Sequence, residues 1–485
     1  MILTVTLIGC VLIGLCGFLG RRKPSANLAE WTVGGRNFGT ATMWFLQAGE
    51  VFTTFTFLAV AAYAFGGGVA ATYAIPYLPI AFIANYFLVP RIWALGKKRG
   101  YLTQADFFAD RYRSKSFGRF TAVVAIVFLL PYLQIQISGL GLIVELVTGS
   151  HSGGVFSMVL ASVLVVAFVI WSGIRGIANT AYLKDALMLV AMVVLVVAVP
   201  AHFAGGIGSV FHQVATNHPQ MLTVAGHGVF TKLWWFCGVL SSAIAVGTLT
   251  SAHAWPAYLS AGSRSSVRRN YIWMPIYQVV IILPVIIGFT GIAAGTNPGP
   301  GGGNKVLLLL AHGALPDWLT GVVAVAAASS AMVPAGVLCM AMSSLVANNL
   351  VETRSERAKL AINHGVVVLA TGAALYLTLA RPTLLGNMLL LTFAGLTQLA
   401  PAILAALGRR VLLSLPAAWT GLVVGIITLV VLTQQGVDIL GTTGGPTAVS
   451  IYGLIALVLN IGASVVVEGV LRVAGLSRTT VEGVA

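Results

Sequence analysis

Residues 44–57, WFLQAGEVFTTFTF, form an apolar run interrupted by a glutamine, a glycine, a glutamate and three threonines. A second stretch of this kind, SSAIAVGTLTSAH, lies at 241–253. Glycine beside polar side chains weakens a membrane helix and lets the backbone open where its carbonyl and amide groups can line a cavity. Both stretches therefore predict broken helices around a binding site. The alternative is that these residues serve only close helix packing.

The composition places both stretches in a membrane. Of 485 residues, 58% are hydrophobic and 8% are charged, whereas a soluble domain carries roughly 25% charged residues. A soluble globule is therefore excluded. The net charge of +15 does not indicate nucleic-acid binding, because the basic residues lie between apolar runs without interleaved aromatics. The four cysteines show no disulfide or zinc spacing, and no cofactor is expected.

Thirteen apolar runs of spanning length predict an all-α polytopic membrane protein with a single domain over 1–485. The runs lie at 2–20, 40–65, 69–95, 119–148, 153–173, 177–202, 230–260, 271–295, 316–351, 360–380, 384–407, 411–434 and 446–474. The spans within 40–202 and within 230–407 form two halves of five helices that enter the membrane from opposite sides, as an inverted repeat requires. The span at 2–20 precedes the repeats, and two extra helices follow within 411–474.

Basic residues set the predicted orientation. Placing the N-terminus outside puts all but four of the 27 lysines and arginines on one side, including the cluster at 91–119. The other side holds Lys305 and Arg381, while Lys184 and Lys232 lie in or at the edge of helices. Because basic loops are retained in the cytoplasm, we expect the N-terminus outside and the C-terminus in the cytoplasm. The expected location is the cell (inner) membrane.

Two ionisable residues lie deep in predicted spans. Glu50 lies about 15 Å along its helix at 1.5 Å per residue, near the middle of a ~30 Å hydrocarbon core. Lys184 lies about 12 Å into its span, deeper than its side chain can comfortably snorkel. Such groups are functional candidates by default, although a protonated Glu50 in a packed interior is the alternative. Asp185 is expected to point away from Lys184, because adjacent residues do not share a helix face.

Further polar residues in the spans are candidates for the binding site. Gln134 and Gln136 lie two residues apart, so only one of them is expected to face it. His253 is either a proton relay or a satisfied polar contact. The complete set of binding-site candidates is Gly49, Glu50, Thr53, Tyr132, Gln134, Gln136, Thr248, Thr250 and Gln398.

Four segments carry a family pattern: VGGRNFG (33–39), YLTQADFFADRYRSKSFGR (101–119), GTLTSAHAWPAYLSAGSRSSVRRN (247–270) and SSAMVPAGVLCMAMSSLVANNLV (329–351). Over nearly the whole chain they resemble the sodium:solute symporter family, whose loop reads approximately LTxxDFFxxRF. This resemblance implies the inverted-repeat leucine-transporter fold. Residues 44–57 together with MVPA (332–335) look most like the monocarboxylate-permease branch, whose members import pyruvate, lactate, acetate or propionate, and some of which take alanine.

The resemblance also implies a sodium site formed by carbonyls of the broken span 40–65 and by a carbonyl and two hydroxyls of span 316–351. Val333 and Pro334 stand where the hydroxyls are expected, and Ser330 stands at the carbonyl position. A hard cation binds several oxygen ligands, so the absence of these two hydroxyls is expected to weaken sodium binding. A shifted register would use Ser329 and Ser330 instead. A weak sodium site formed by Glu50, Thr53 and Ser330 is a further alternative.

Lys184 stands where the family usually has a threonine, and Asp185 stands at a common acidic position. Lysine replaces sodium in proton-driven transporters of this fold, because a buried ammonium neutralises the same carbonyls and can release its proton. We therefore expect a proton-coupled importer of a short monocarboxylate in the lipid bilayer. The alternatives are a sodium-coupled symporter of an amino acid or vitamin, and a transporter-like membrane sensor. An enzyme is not expected. The ion-coupling candidates are Glu50, Lys184, Asp185, His253, Ser329 and Ser330.

Overall fold

The computed structural model describes residues 1–20, 27–148, 154–224, 230–299, 302–353, 355–380, 385–437 and 448–476. The described residues are almost entirely helical, and an isolated bridge joins Phe38 to Ala261. Arg381, which is predicted to lie outside, is not among them. The helices are α1 (Ile2–Gly20), α2 (Leu28–Val33), α3 (Thr40–Val51), α4 (Val60–Gly67), α5 (Tyr77–Arg99), α6 (Gln104–Arg111), α7 (Lys115–Thr148), α8 (Gly154–Ala204), α9 (Ile207–Asn217), α10 (Lys232–Gly247), α11 (Trp255–Ser260), α12 (Arg264–Gln278), α13 (Ile282–Ala293), α14 (Val306–Ala314), α15 (Asp317–Leu345), α16 (Glu356–Ala380), α17 (Leu385–Leu396), α18 (Ala400–Ala406), α19 (Leu415–Gln435) and α20 (Val449–Val473).

Ten helical segments among the described residues have the length and hydropathy of membrane spans, and Ile2–Gly17 is a shorter apolar helix. The segment Phe55–Arg99 contains the end of the predicted span 40–65 and the whole of the span 69–95. Met158–Ala204 covers two more, with an interruption at Gly173, where φ is 53°. The predicted all-α polytopic membrane architecture is confirmed. The number thirteen and the limits of the two repeats stay predictions.

The first polar stretch breaks its helix, as predicted, but beyond Val51 rather than at Ala48 and Gly49, where the glycine predicts it. Helix α3 continues through Gly49 and Glu50 and ends at Val51, and a π-helical turn resumes at Phe55–Ala59. The Thr53 hydroxyl accepts a hydrogen bond from the amide of Phe55 at 3.1 Å. A threonine hydroxyl that bonds the nearby backbone competes with helical hydrogen bonding, which explains why the helix opens at the threonines rather than at the glycine.

The second polar stretch also breaks. Helix α10 ends at Gly247, and Leu249 has a φ of 65°, which costs a residue with a side chain roughly 1–2 kcal/mol. Gln104 Nε2 in α6 donates to the carbonyls of Leu249 at 2.8 Å and Thr250 at 3.0 Å. The indole of Trp255 donates to the Leu249 carbonyl at 2.9 Å. These donors satisfy carbonyls at the break and hold the strained conformation.

The loop before α7 ties α6 to the end of α15. Asp106 forms a capping box with Thr103 at the start of α6. Its carboxylate also accepts hydrogen bonds from the side-chain amides of Asn348 at 2.8 Å and Asn349 at 2.6 Å. Burial raises the pKa of Asp106, while donors on Leu102, Asn349 and Thr103 oppose that rise by stabilising the carboxylate. The LTxxDFF pattern therefore has a structural role at the end of α15.

Helix α7 packs against the break after α3 at its own residue Gly139. A methyl group on Gly139 would lie 2.1 Å from Cγ2 of Thr54. We expect Gly139→Ala to lower stability by about 1–3 kcal/mol, the usual cost of overpacking, and to slow transport because Thr54 lies in the break. The melting temperature of the purified protein and uptake into liposomes measure the two effects. Gly372→Ala is the control, since its methyl meets nothing within 4 Å. Unchanged stability and uptake in Gly139→Ala would contradict this packing argument.

Candidate functional site

The break after α3 presents two backbone carbonyls to α8. Nζ of Lys184 lies 2.7 Å from the carbonyl oxygen of Gly49 and 2.5 Å from that of Phe52. The lysine side chain is fully buried. An ammonium group carries three donors and no acceptor, so it suits carbonyl oxygens at a helix break. Lys184 therefore links α8 to the broken helix.

The same ammonium pairs with its neighbour in the chain. Oδ1 of Asp185 lies 2.9 Å from Nζ of Lys184, and both side chains are buried. The expectation that Asp185 points away from Lys184 is wrong. Although adjacent side chains leave a helix in different directions, the long flexible lysine chain bends back to reach the carboxylate. Because the two opposite charges attract each other, burying Lys184 and Asp185 as a pair costs less free energy than burying either charge without its partner.

Helix α15 packs against the break from another side. A methyl group on Gly49 would lie 3.0 Å from Cβ of Ala181 and 3.4 Å from Cγ1 of Val333. Val333 thus faces the break with an apolar side chain. The hydroxyls of Ser329 and Ser330 donate to carbonyls of their own helix, each at 2.7 Å.

The Lys184 ammonium occupies the two carbonyls that the resemblance assigns to a sodium site at this break. Lys184 already contacts both carbonyls, and the Ser330 hydroxyl bonds to the carbonyl of Ala327. The Thr53 hydroxyl bonds to a backbone amide, and Glu50 pairs with His253. The three side chains of the alternative sodium site therefore each have another partner.

A cavity of about 40 Å³ lies beside the break, between α3, α5, α7, α17 and the chain that follows α10. Its apolar walls include Phe55, Phe82 and Phe393. Since roughly 10–15 Å³ of such space is enough to hold one water molecule, this cavity has room for a few waters or a compact solute. Its polar lining consists of Gln47, Glu50, Tyr77, Tyr132, Ser251, His253, Tyr258 and Tyr271.

A carboxylate and an imidazole from the two broken helices meet in this cavity. Nε2 of His253 lies 2.8 Å from Oε1 of Glu50, and both side chains are buried. The ring of Tyr132 meets the imidazole edge-on, with centroids 5.3 Å apart. Within the described part of the chain, Nδ1 of His253 has no hydrogen-bond partner. Glu50 and His253 can therefore share one proton, while Nδ1 of His253 stays available to bond a ligand in the cavity.

The predicted site residues fall into separate groups. Glu50, Tyr132 and His253 line the cavity, while Lys184 meets the carbonyl of Gly49 at the break and pairs with Asp185. Thr53 lies in the break itself, where its hydroxyl accepts a hydrogen bond from the amide of Phe55, and it is not among the residues that line the cavity.

Other predicted residues make different contacts. The Thr248 and Thr250 hydroxyls donate to carbonyls of α10, at 2.7 and 2.6 Å. The amide of Gln398 donates to the carbonyl of Gly453 in α20 at 2.9 Å. The lining residues of the cavity do not include Thr248, Thr250, Gln398, Gln134 or Gln136.

Several lining residues were not predicted. Gln47 and Ser251 belong to the two quoted polar stretches, so their polarity inside a span was an available signal. Tyr258 and Tyr271 carry no such signal, because buried tyrosines commonly serve packing. Their place in the wall depends on how α11 and α12 pack.

Comparison with known proteins identifies the family. A profile of the sodium:solute symporter family matches residues 31–415. This chain belongs to the sodium:solute symporter family. It is 31% identical to the uncharacterized symporter YhjB of Bacillus subtilis, over 94% of each chain. It is also 27% identical to the monocarboxylate transport permease protein of Rhizobium johnstonii, over 70% of this chain and 68% of that protein. The family resemblance drawn from the four segments is thus confirmed.

Solved structures show the fold of this family member. A Na⁺-coupled sialic acid symporter superposes with a TM-score of 0.78 over 99% of both chains, at 16% identity. A nucleobase-cation-symport-1 family transporter gives a TM-score of 0.58, at 15% identity, over 94% of this chain and 97% of that chain. The predicted leucine-transporter fold is confirmed. The protein is accordingly a multi-pass membrane protein and a secondary transporter, a class that takes a small-molecule substrate with a coupled ion.

Proposed function

We propose that this symporter imports a short monocarboxylate with protons as the coupling ion. The observation that carries the ion assignment is the Lys184 ammonium on both carbonyls of the break. While protonated, Lys184 holds α8 against α3. Loss of its proton on the cytoplasmic side removes the positive charge and weakens that contact. One proton then biases the balance between two conformations, which is what coupling requires.

The cavity supports a small acidic substrate. It is compact, and its polar groups are an imidazole, an amide, a serine and several tyrosines beside one carboxylate. A protonated His253 and tyrosine hydroxyls are donors that suit a carboxylate. The Rhizobium johnstonii relative is named as a monocarboxylate transport permease, which points to the same substrate class.

Uptake into liposomes tests the proposal. The purified protein is supplied with labelled pyruvate, acetate or alanine, while proton and sodium gradients are imposed separately. We expect pyruvate or acetate to accumulate when the lumen is alkaline, without sodium. Accumulation of alanine that requires sodium and ignores the pH gradient would favour the sodium-coupled alternative.

The orientation is a separate prediction. We expect the basic end of α5, at Lys97, Lys98 and Arg99, to face the cytoplasm and Lys305 to lie outside, because basic loops are retained. Single cysteines at position 98 and at position 305 can be tested in intact cells with a membrane-impermeant maleimide. Labelling should occur only at position 305. Labelling at position 98 from outside would reverse the topology.

A further inference from the structure

The Glu50–His253 pair in the cavity wall holds a hydrogen between its two members. Nε2 of His253 lies 2.8 Å from Oε1 of Glu50, and both side chains are buried. A nitrogen and an oxygen at this distance share one hydrogen, because two lone pairs would otherwise face each other. Turning the imidazole over would place a carbon atom against the carboxylate, so this contact also fixes the orientation of the ring.

The other ring nitrogen decides whether the pair can bind an anion. Nδ1 of His253 is buried without a hydrogen-bond partner among the described residues, on a side chain that lines the cavity. When the pair holds only the shared hydrogen, it is negatively charged and Nδ1 offers a lone pair. When Nδ1 carries a second hydrogen, the pair is neutral and offers a donor. This is true whichever of the two bonded atoms carries the shared hydrogen.

Among the described residues, the cavity lining holds no other group that is charged near neutral pH. Its remaining titratable members are tyrosines, which are neutral at physiological pH. They are Tyr77 of α5, Tyr132 of α7, Tyr258 of α11 and Tyr271 of α12, while α17 contributes Leu389 and Phe393. At the break, Lys184 and Asp185 pair with each other. The Glu50–His253 pair therefore sets the charge that an anion meets in the cavity.

We propose that the substrate carboxylate binds the Glu50–His253 pair only together with a proton, which supplies the hydrogen on Nδ1 of His253. This inference rests on the proposed monocarboxylate function and deepens it, because it assigns a second coupling proton beside that of Lys184. Without the added proton, two negative charges would meet in a buried site, where their repulsion is poorly screened. With it, the carboxylate accepts a hydrogen bond from a neutral pair.

The same linkage drives release. If a proton raises the affinity for the anion, the anion raises the affinity for the proton by the same factor. When the pair loses this proton to the cytoplasm, its negative charge returns and Nδ1 no longer donates. The carboxylate then loses its hydrogen bond and is repelled from the cavity.

Glu50→Gln separates anion binding from proton uptake. The NH₂ group of the new glutamine donates to Nε2 of His253, so the neutral imidazole carries its own hydrogen on Nδ1. This variant therefore presents the donor permanently and without a negative charge. We expect its affinity for acetate to stay constant as the pH rises. The affinity of the unmodified protein should fall at alkaline pH by about tenfold per pH unit, the linkage of one proton.

The test is calorimetric titration of the purified full-length protein with acetate at alkaline pH, in buffers of different ionisation enthalpy. The dependence of the heat on the buffer gives the number of protons taken up with each acetate. We expect the unmodified protein to take up close to one proton, and Glu50→Gln to bind acetate with no proton uptake. Glu468→Gln, which changes an equally buried acid outside the cavity lining, should match the unmodified protein.

Three results would overturn the inference: binding by the unmodified protein without proton uptake at alkaline pH, undiminished proton uptake in Glu50→Gln, or folded Glu50→Gln that does not bind acetate. If Glu50→Gln does not fold, nitrogen NMR of the histidines carries the test, with the His253 signal assigned by its loss in His253→Gln. Acetate must then add a hydrogen at Nδ1 of His253, and an unchanged signal overturns the inference. Failure of the unmodified protein to bind acetate or pyruvate at any pH would instead overturn the proposed function.

Discussion

Lys184→Ala is expected to reach the membrane and to lose accumulation driven by a pH gradient. The ammonium contacts the carbonyls of Gly49 and Phe52, and no other basic residue forms an ion pair with Asp185 among the described residues. Without it, the break has no group that can gain or lose a proton against those carbonyls. A sodium gradient should not restore accumulation, because Val333 still presents an apolar side chain to the break. Liposome uptake under each gradient measures both results.

Removing the lysine also leaves Asp185 buried without its counterion. Breaking a buried ion pair by removing one partner costs about 3–5 kcal/mol, so Lys184→Ala can lose yield for that reason alone. The double variant Lys184→Met/Asp185→Asn avoids this penalty, because both positions become neutral at similar volume. It should fold with nearly normal stability and still show no proton-driven accumulation.

Lys232→Ala is the matched control for the loss of a lysine. Lys232 is exposed at the start of α10, so its removal should leave uptake unchanged. Proton-driven accumulation in the double variant would remove Lys184 from the coupling mechanism. If the unmodified protein instead requires sodium and ignores the pH gradient, Ser329 and Ser330 become the ligands to test.

Glu50→Gln is expected to fold normally and to reduce concentrative uptake at every pH by at least about tenfold, the size of one charge-assisted hydrogen bond. The amide keeps the shape of Glu50, and it can still bond to His253. It cannot take up or release a proton, so the pair across the two broken helices can no longer change its charge. His253→Gln should reduce uptake in the same way, because the pair needs both groups.

The control for this change is Glu468→Gln. Glu468 is an equally buried acid, but it bonds to Ser414 and Arg472 and lies outside the cavity lining. Its replacement should leave the pH dependence of uptake unchanged. Wild-type uptake by Glu50→Gln across the pH range would show that this carboxyl takes no part in transport.

Much of the fold could be predicted from local sequence. Apolar runs long enough to cross a bilayer are visible directly, and the polar stretches at 44–57 and 241–253 do mark broken helices. The position of the first break was harder to predict. Glycine suggested Gly49, but the helix opens beyond Val51, because a hydroxyl of Thr53 bonds the following backbone. Propensity indicates that a helix is weak, and local hydrogen bonding decides where it opens.

The site was only partly predictable. Glu50 and His253 were both candidates, yet nothing in either stretch says that their side chains meet at 2.8 Å. Gln134 and Gln136 are as polar as Gln47, but only Gln47 of the three lines the cavity. A polar side chain within a span indicates that this side of the helix faces protein, because lipid offers the side chain no hydrogen-bond partner. It does not determine which neighbour the side chain reaches.

Sequence alone is enough to predict the membrane class, the two weak helices, the family pattern and the depth of Lys184. These properties depend on residues close together in the chain and on the bilayer as solvent. The fold was needed to show that Lys184 meets two carbonyls at the break after α3, that Asp185 shares its ammonium, and that Gln47 bonds to Asn270 and Tyr271 of α12. Those contacts join helices far apart in sequence, and their geometry depends on how each helix rotates and packs against the others.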